Sequence, residues 1–367
     1  MKIICTKSDL LKSSNIALRA VPVRSTMPIL ECILIDVSDN GIKFTTNDME
    51  LGIDTCVNGQ VIETGIVAVD AKLFSEIIRK LPDSDVTVSS DENYNITILC
   101  DKSKFVLSGN SGEDFPFLPA VEKDECISIS QFTLRQVIQQ TIFSIASNEN
   151  NKVMTGELFE ISGNNFRVIS LDGHRISIRR VELKESYENK KVIVPGKTLS
   201  EICKILTGEM DDNVSIFIAR NHVVFELTDT TVVSRLIEGE YFNVDQMISN
   251  DYETKVKIKK QLLTDCIDRA TLFVREGDKK PIIIDIQDGR LNLNIDSPFG
   301  AMDENIDIEK EGKDLMIGFN PRFMMDALKV IDDEYVTLYF TNPKSPCYIR
   351  DEDKNYTYLI LPVNFIR

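Results

Sequence analysis

Histidine is nearly absent. The 367 residues hold two, His174 and His222, too few for a histidine-built metal cluster. The eight cysteines (5, 32, 56, 100, 126, 203, 266, 347) lie far apart, mostly inside apolar runs, and none forms a C-x-x-C pair. They read as reduced core thiols of a cytosolic protein, not as a disulfide or zinc framework. No apolar run approaches the length of a membrane span, and the start, Met1-Lys2-Ile3-Ile4-Cys5-Thr6-Lys7, is too short and too charged for a signal peptide. A cytoplasmic protein is expected. A glycine-rich dinucleotide fingerprint is missing, and so is a G-x-S-x-G nucleophile elbow. Gly196-Lys197-Thr198 follows a strand and opens a helix, as the end of a phosphate-binding loop would. The glycine such a loop needs upstream is Lys191 instead, so a structural turn is the reading. The acidic clusters at 332–334 and 351–353 lack the spacing of a calcium loop.

What the chain does have is one stretch written three times. Val67 to Leu81 returns as Val192 to Leu206 and again as Ile317 to Ile331, each step being 125 residues. In each copy two apolar residues alternate, a short polar loop follows, and apolar side chains then recur at i, i+3, i+4 and i+7. They are Phe74, Ile77, Ile78 and Leu81, then Leu199, Ile202, Cys203 and Leu206, then Met324, Ala327, Leu328 and Ile331. That is a strand turning into an amphipathic helix. Equal spacing over most of the chain predicts three similar modules in tandem, assigned to residues 1–120, 121–248 and 249–367. Each is α+β, with two helices packed on antiparallel sheets. Three alike modules suggest a curved or ring-shaped object.

The pass along each module fills in its elements. Ser8 reads as a helix cap, and Arg24 lies just past that helix in a loop bounded by Pro22 and Pro28. Ile29 to Val37 reads as a strand. Asp39-Asn40-Gly41 and Asp288-Gly289 predict tight hairpins. Leu134 through Ile145 marks a long amphipathic helix, and Gly163-Asn164-Asn165 predicts a turn between two short strands. Asp172-Gly173-His174-Arg175 looks catalytic at first sight. Its plainer reading is a tight turn that places His174 and Arg175 at a surface groove.

The charge is divided by structural element. The chain carries 42 basic and 58 acidic residues, a net of −16. Taken whole, that argues against nucleic acid. The six predicted helices (8–24, 71–81, 131–146, 196–206, 259–275, 321–330) hold 15 of the basic and 6 of the acidic residues. The remainder keeps 27 and 52. Helices facing one way would form a basic face able to hold a phosphate backbone without base contacts. Lysine and arginine are also good helix formers on solvated faces, so charge alone leaves both readings open.

At this point the residues carry a family resemblance. Met27-Pro28-Ile29-Leu30, Asp114-Phe115-Pro116, Leu158-Phe159-Glu160, Asp172-Gly173-His174-Arg175, Val192-Ile193-Val194-Pro195, Gly318-Phe319-Asn320 and Leu359-Ile360-Leu361-Pro362-Val363 stand in the order and at the intervals of the bacterial β sliding clamps. In these landmarks the chain resembles the processivity subunit of DNA polymerase III over essentially its whole length. The resemblance implies a head-to-tail homodimer that closes a six-domain ring around duplex DNA and tethers the polymerase. Helices would line the hole and sheets the outer wall, without catalysis, cofactor or metal. It implies DNA-facing roles for Arg24, Lys72, Lys152 and Lys197. It implies that short linear peptides of polymerase and clamp-loader subunits enter an apolar groove between the second and third domains. The matching positions are Met154, Leu171, Gly173, His174, Arg175, Ile176 and Phe242, with Met247, Asn320, Phe323, Pro346, Leu361, Pro362 and Val363. Phe105, with Leu272 and Phe273, matches the subunit interface. Two departures bear on peptide preference: Phe242 where the family usually has proline, and the tail Asn364-Phe365-Ile366-Arg367. Two other classes stay compatible with the residues: an acidic β-rich peptide-binding scaffold that never encircles DNA, and an enzyme using His174 with a nearby carboxylate.

Overall fold

The computed structural model describes residues 1–147, 151–208, 210–274 and 280–365. Arg275 of the charge count, and Ile366 and Arg367 of the tail, lie outside them. The first third runs β1 (Lys2–Thr6), α1 (Lys7–Ala17), β2 (Cys32–Ser38), β3 (Gly41–Asn47), β4 (Leu51–Val57), β5 (Gln60–Glu63) and β6 (Gly65–Asp70). Then come α2 (Ala71–Lys80), β7 (Asp85–Ser90), β8 (Asn95–Cys100) and β9 (Ser103–Ser111). The middle third holds β10 (Cys126–Ser130), α3 (Gln131–Gln139), β11 (Gly156–Leu171), β12 (Arg175–Pro195), α4 (Gly196–Ile205), β13 (Asn213–Ile218), β14 (His222–Glu226) and β15 (Thr230–Arg235). The last third begins with β16 (Thr254–Lys259), α5 (Lys260–Thr271), β17 (Ile282–Gln287), β18 (Arg290–Ser297), β19 (Gly300–Asp307) and β20 (Glu309–Gly312). It ends with β21 (Leu315–Phe319), α6 (Pro321–Lys329), β22 (Tyr335–Phe340), β23 (Cys347–Arg350) and β24 (Tyr356–Ile360).

The repeated stretch is the strand-to-helix step β6–α2, β12–α4 and β21–α6. Its apolar spacing does what amphipathic spacing predicts. Val67, Val69, Phe74 and Ile78 are fully buried, and so are Ile317, Phe319, Met324 and Leu328 in the third copy. The polar loop residue between strand and helix is a cap: the Asp70 carboxylate accepts the Leu73 N–H at 2.7 Å and the Asn320 amide oxygen accepts that of Arg322 at 3.0 Å. The middle copy has Pro195 at this place.

These elements pack as two compact units, Met1–Thr133 with Lys197–Leu236, and Leu134–Gly196 with Ile237–Arg367. In the first, thirteen strands follow the order β10-β13-β14-β15-β4-β3-β2-β6-β9-β8-β7-β1-β5. In the second, a seven-stranded sheet runs β11-β12-β24-β23-β22-β16-β20 and a four-stranded one β19-β18-β17-β21. The middle third is thus shared out by its edge strands. β15 pairs with β4, where Thr55 and Thr230 face each other with hydroxyls 2.9 Å apart in a buried position. β12 pairs with β24, with Arg175 opposite Ile360. The 125-residue repeat reports how each copy folds and carries no information about which edges fuse.

Several expectations are corrected. Thr6, not Ser8, caps α1, its hydroxyl accepting the Asp9 N–H. Residues 29–31 belong to a 3-10 turn, Pro28–Glu31, because proline at the first helical position fixes φ and needs no partner for its nitrogen; the strand starts at Cys32. The third helix stops at Gln139, and residues 142–144 form a separate 3-10 turn. Thr141 bonds back to the Val137 carbonyl at 2.8 Å, a side-chain contact that competes with helix continuation. Gly163-Asn164-Asn165 is not a turn between strands but a bulge inside the single strand β11, with Gly163 at φ +60 and the register against β12 slipping on both sides. Cys56 and Cys126 are exposed, while Cys5, Cys32, Cys100, Cys266 and Cys347 are buried. The hairpins at Gly41 (φ +120) and Gly289 (φ +71) are two-residue connections, as their sequences predict. Among the described residues no helix is long and apolar enough to cross a membrane.

Candidate functional site

The tight turn at residues 172–174 joins β11 to β12, and Gly173 supplies the φ of +87 that it needs. Leu171 and Ile176 face each other across it and are both buried. They belong to one apolar cluster with Leu158, Ile169, Ile178 and Val244, against which Met154, Tyr241 and Phe242 pack half-buried. The rings of Tyr241 and Phe242 meet edge to face, 6.2 Å between centroids. Four of the predicted groove residues, Met154, Leu171, Ile176 and Phe242, therefore belong to one apolar cluster, with Met154 and Phe242 at its half-buried rim.

Arg175 is the hub of the turn. Its Nε donates to Asp172 at 3.0 Å, one terminal nitrogen to Asp326 at 2.6 Å and the other to the Phe143 carbonyl. The guanidinium plane lies 4.5 Å from the Phe323 ring centroid and 5.4 Å from that of Phe143. The His174 imidazole also stacks with Phe323, the ring centroids 6.0 Å and the two planes 22° apart. The Leu361 N–H donates to the His174 carbonyl at 2.9 Å. His174, Arg175, Phe323 and Leu361 are thus brought together, and Arg175 is spent on holding them, not on meeting solvent. The enzyme alternative finds little in this geometry: the carboxylate of the same turn, Asp172, accepts from the His174 and Arg175 backbone N–H groups and from the Arg175 side chain.

The remaining groove positions lie around this pair of features. The Val363 N–H donates to the Gly318 carbonyl at 2.8 Å, so Pro362 and Val363 run beside β21, and Asn320 at the end of that strand is committed to capping α6. Met247 stands exposed after the 3-10 turn Val244–Gln246, and its carbonyl accepts the Tyr348 hydroxyl at 3.4 Å, two residues beyond Pro346. The partners Phe143, Asp326, Tyr241 and Tyr348 are not read from sequence. Asp326 had a signal, lying one helical turn after Phe323 on α6.

The candidate DNA-facing cations sit on helix starts and loops. Lys72 and Lys197 are the second residues of α2 and α4 and occupy the same place in the repeat. The 125-residue step puts Arg322, also exposed, at the third such place, a residue missed for want of applying the repeat to charge. Arg24 is exposed, and Lys72 Nζ reaches the Val23 carbonyl at 3.4 Å, which joins Lys72 to the Arg24 loop. Lys152 is exposed at the start of a 3-10 turn. Lys197 pairs with Asp48. Among the described residues no carboxylate stands within ion-pair distance of Arg24, Lys72 or Lys152.

The candidate interface residues mark two strand edges. Residues 103–108 of β9 pair with β8 on one side, and among the described residues nothing pairs on the other, since only 109–111 reach β6. Phe105 (38 % exposed) and Val106, successive residues on opposite faces of the strand, are both exposed on this edge strand beside Lys104. Among the described residues β19 is an edge strand of its sheet, paired only with β18, and it exposes Asp303 and Asp307. Arg269 grips Glu304 on β19 and so fixes α5 to that edge. Just past α5, Leu272 is 81 % exposed, while the Phe273 ring packs toward Gly300.

Comparison with known proteins covers the same ground end to end. Sequence models of the N-terminal, central and C-terminal domains of the DNA polymerase III beta subunit match residues 1–119, 128–243 and 245–364. A curated relative named beta sliding clamp, from Staphylococcus aureus (strain Mu50), is 36 % identical over 360 residues, 95 % of each chain. A crystal structure from Eubacterium rectale, described as a DNA polymerase III beta subunit, superposes with a TM-score of 0.96 at 62 % identity, over 100 % of this chain and 99 % of the other. The DNA polymerase sliding clamp of Bacillus subtilis gives a TM-score of 0.96 at 30 % identity over all of both chains.

Proposed function

The chain belongs to the DNA polymerase III beta subunit family, the β sliding clamps, and on that footing we propose that two copies join head to tail in a ring around duplex DNA. The single observation that carries this reading is the match of all three clamp domains in tandem along one chain. The domains are taken as 1–120, 121–248 and 249–367. A clamp has no reaction of its own; it works by holding. A closed ring stays on DNA by topology, so its contacts with phosphates need only be weak and sequence-independent. Arg24, Lys72, Lys152 and Lys197 supply that attraction, with the acidic remainder of the chain away from the duplex.

Two different open edges support head-to-tail closure. The β9 edge carries Lys104 and exposed apolar residues, and the β19 edge carries acidic ones with Leu272 beside it. Unpaired edges of this kind call for a partner, and joining unlike patches closes into a ring when the rotation allows. The apolar cluster of Leu171 and Ile176 with Met154 and Phe242 at its rim, together with the His174–Phe323–Leu361 corner, receives short linear peptides of polymerase and clamp-loader subunits. Such a ring works in the cytoplasm. Light scattering across a concentration series, followed by a retention assay on nicked circular DNA after loading, tests the reading. The expected result is a particle of twice the chain mass that stays on the circle and leaves when the circle is cut. A monomer at micromolar concentration with no retention would overturn it in favour of a peptide-binding scaffold.

A further inference from the structure

The basic character of the helices in the first unit is partly cancelled from within. Lys12 pairs with Asp229 at 3.6 Å, Arg19 with Glu201 at 3.6 Å, and Lys204 with the same Glu201 at 2.7 Å. The pair that falls on a candidate DNA contact is Lys197 with Asp48. Its two halves differ in kind. The lysine side chain is 58 % exposed and free to swing, whereas the aspartate side chain is 6 % exposed and locked. One Asp48 oxygen accepts the N–H groups of Glu50 at 3.0 Å and Leu51 at 2.7 Å, which closes the turn between β3 and β4, and the other faces the ammonium. A carboxylate so fixed is a built-in stand-in for a phosphate oxygen. Lys72, at the equivalent place in the repeat, has only a backbone carbonyl within reach among the described residues.

We infer that Asp48 acts as an internal counterion that competes with DNA phosphate for Lys197 and so weakens the ring's hold on the duplex. This rests on the DNA-encircling reading above. The chemistry is an exchange: when a phosphate takes Lys197, the carboxylate is left behind in a nearly closed turn, which offsets much of the gain. A tether that must slide profits from that cancellation, because a tight phosphate contact has to be broken at each step. The residue acts through Lys197 and positions it.

Asp48→Asn tests this, since the amide keeps one oxygen for the Glu50 and Leu51 N–H groups and removes the charge. Binding of the dimer to a short fluorescent duplex is followed by anisotropy from 50 to 200 mM salt. Releasing one lysine per copy, two per ring, is expected to steepen the slope of log K against log[salt] by about 1.8, roughly a 12-fold larger loss of affinity across that range. The double variant Asp48→Asn/Lys197→Gln has the wild-type net charge and is expected to return to the wild-type slope. If Asn weakens the turn, Asp48→Ser repeats the test with a hydroxyl that can still accept a backbone N–H. An unchanged slope in the single variant overturns the inference, and so does a steep slope that survives in the double variant. A wild-type protein that neither binds duplex nor stays on circular DNA fails at the earlier step and overturns the encircling reading itself.

Discussion

Glu157 is fully buried on β11, where a contact with the Thr141 side chain only partly offsets the burial of its carboxyl. Burial pushes its carboxyl well above the usual carboxylate range. The sign of the consequence is fixed by linkage. Below the unfolded-state value, about 4.3, both states hold the proton and the group costs no pH-dependent stability. Above it the unfolded chain releases a proton that the folded chain keeps, so stability falls as pH rises until the folded group ionises. Glu157→Gln should therefore gain on the wild type by about 1.4 kcal/mol per pH unit within that window. Urea unfolding of both proteins at pH 4, 6 and 8 checks this, and parallel curves would contradict it. Arg175 gives the opposite kind of residue. Arg175→Ala strips Asp172 and Asp326 of their partner and uncovers the Phe323 ring, with an expected loss of about 2–3 kcal/mol. Arg175→Lys should recover little of it, because an ammonium has neither the planar fork nor the stacking face; thermal melts of the three proteins decide. The importance of the turn was legible from Asp172-Gly173-His174-Arg175. The use of Arg175 was not, because its acceptors Asp326 and the Phe143 carbonyl lie 151 and 32 residues away in sequence, where no local pattern points.

Among the elements, β9 does two jobs in sequence. Its first six residues pair with β8, and from Gly109 onward it crosses to pair with β6. A Cβ at Gly109 would come within 2.6 Å of the Tyr94 carbonyl oxygen and 2.8 Å of that of Ala68, backbone atoms that cannot move aside like a side-chain tip. Gly109→Ala is expected to cost about 1–3 kcal/mol and to loosen the crossing first, visible as faster amide exchange in β6 and β9 than in β16 or β22. The strand-to-helix steps were readable because both periods, two and 3.6, lie within one short stretch and recur at a fixed distance. β12 was readable only at its end. Its middle, Glu182 to Lys191, is rich in charge and exposed on much of its length, so the apolar alternation that betrays a strand is missing there. The bulge at Gly163 was misread for a related reason: glycine and asparagine accept the same backbone conformations in a turn and in a bulge, and only the partner strand tells them apart.

For the molecule as a whole, the proposed ring contact is the feature on which every functional claim turns, since a clamp that does not close cannot hold. Leu272 lies just past a helix fixed to the β19 edge by the Arg269–Glu304 pair, and it is 81 % exposed among the described residues. Leu272→Asp removes an apolar contact worth about 1.5–3 kcal/mol when buried and sets a new negative charge beside Asp303 and Asp307. The proposed two-chain ring would have two copies of the contact, so each substitution would count twice. The dimer should weaken by about 3–6 kcal/mol, or roughly 10²–10⁴-fold in dissociation constant. Sedimentation should then show half the wild-type mass at low micromolar concentration, together with loss of retention on circular DNA. The chain's own melting should change little, because the residue is exposed in the single copy. Leu262→Asp, a similar change on the first turn of the same helix and also exposed, should leave the mass doubled. If Leu272→Asp stays dimeric while Leu262→Asp does not, closure uses the other end of α5 and the β19 edge is not the joint.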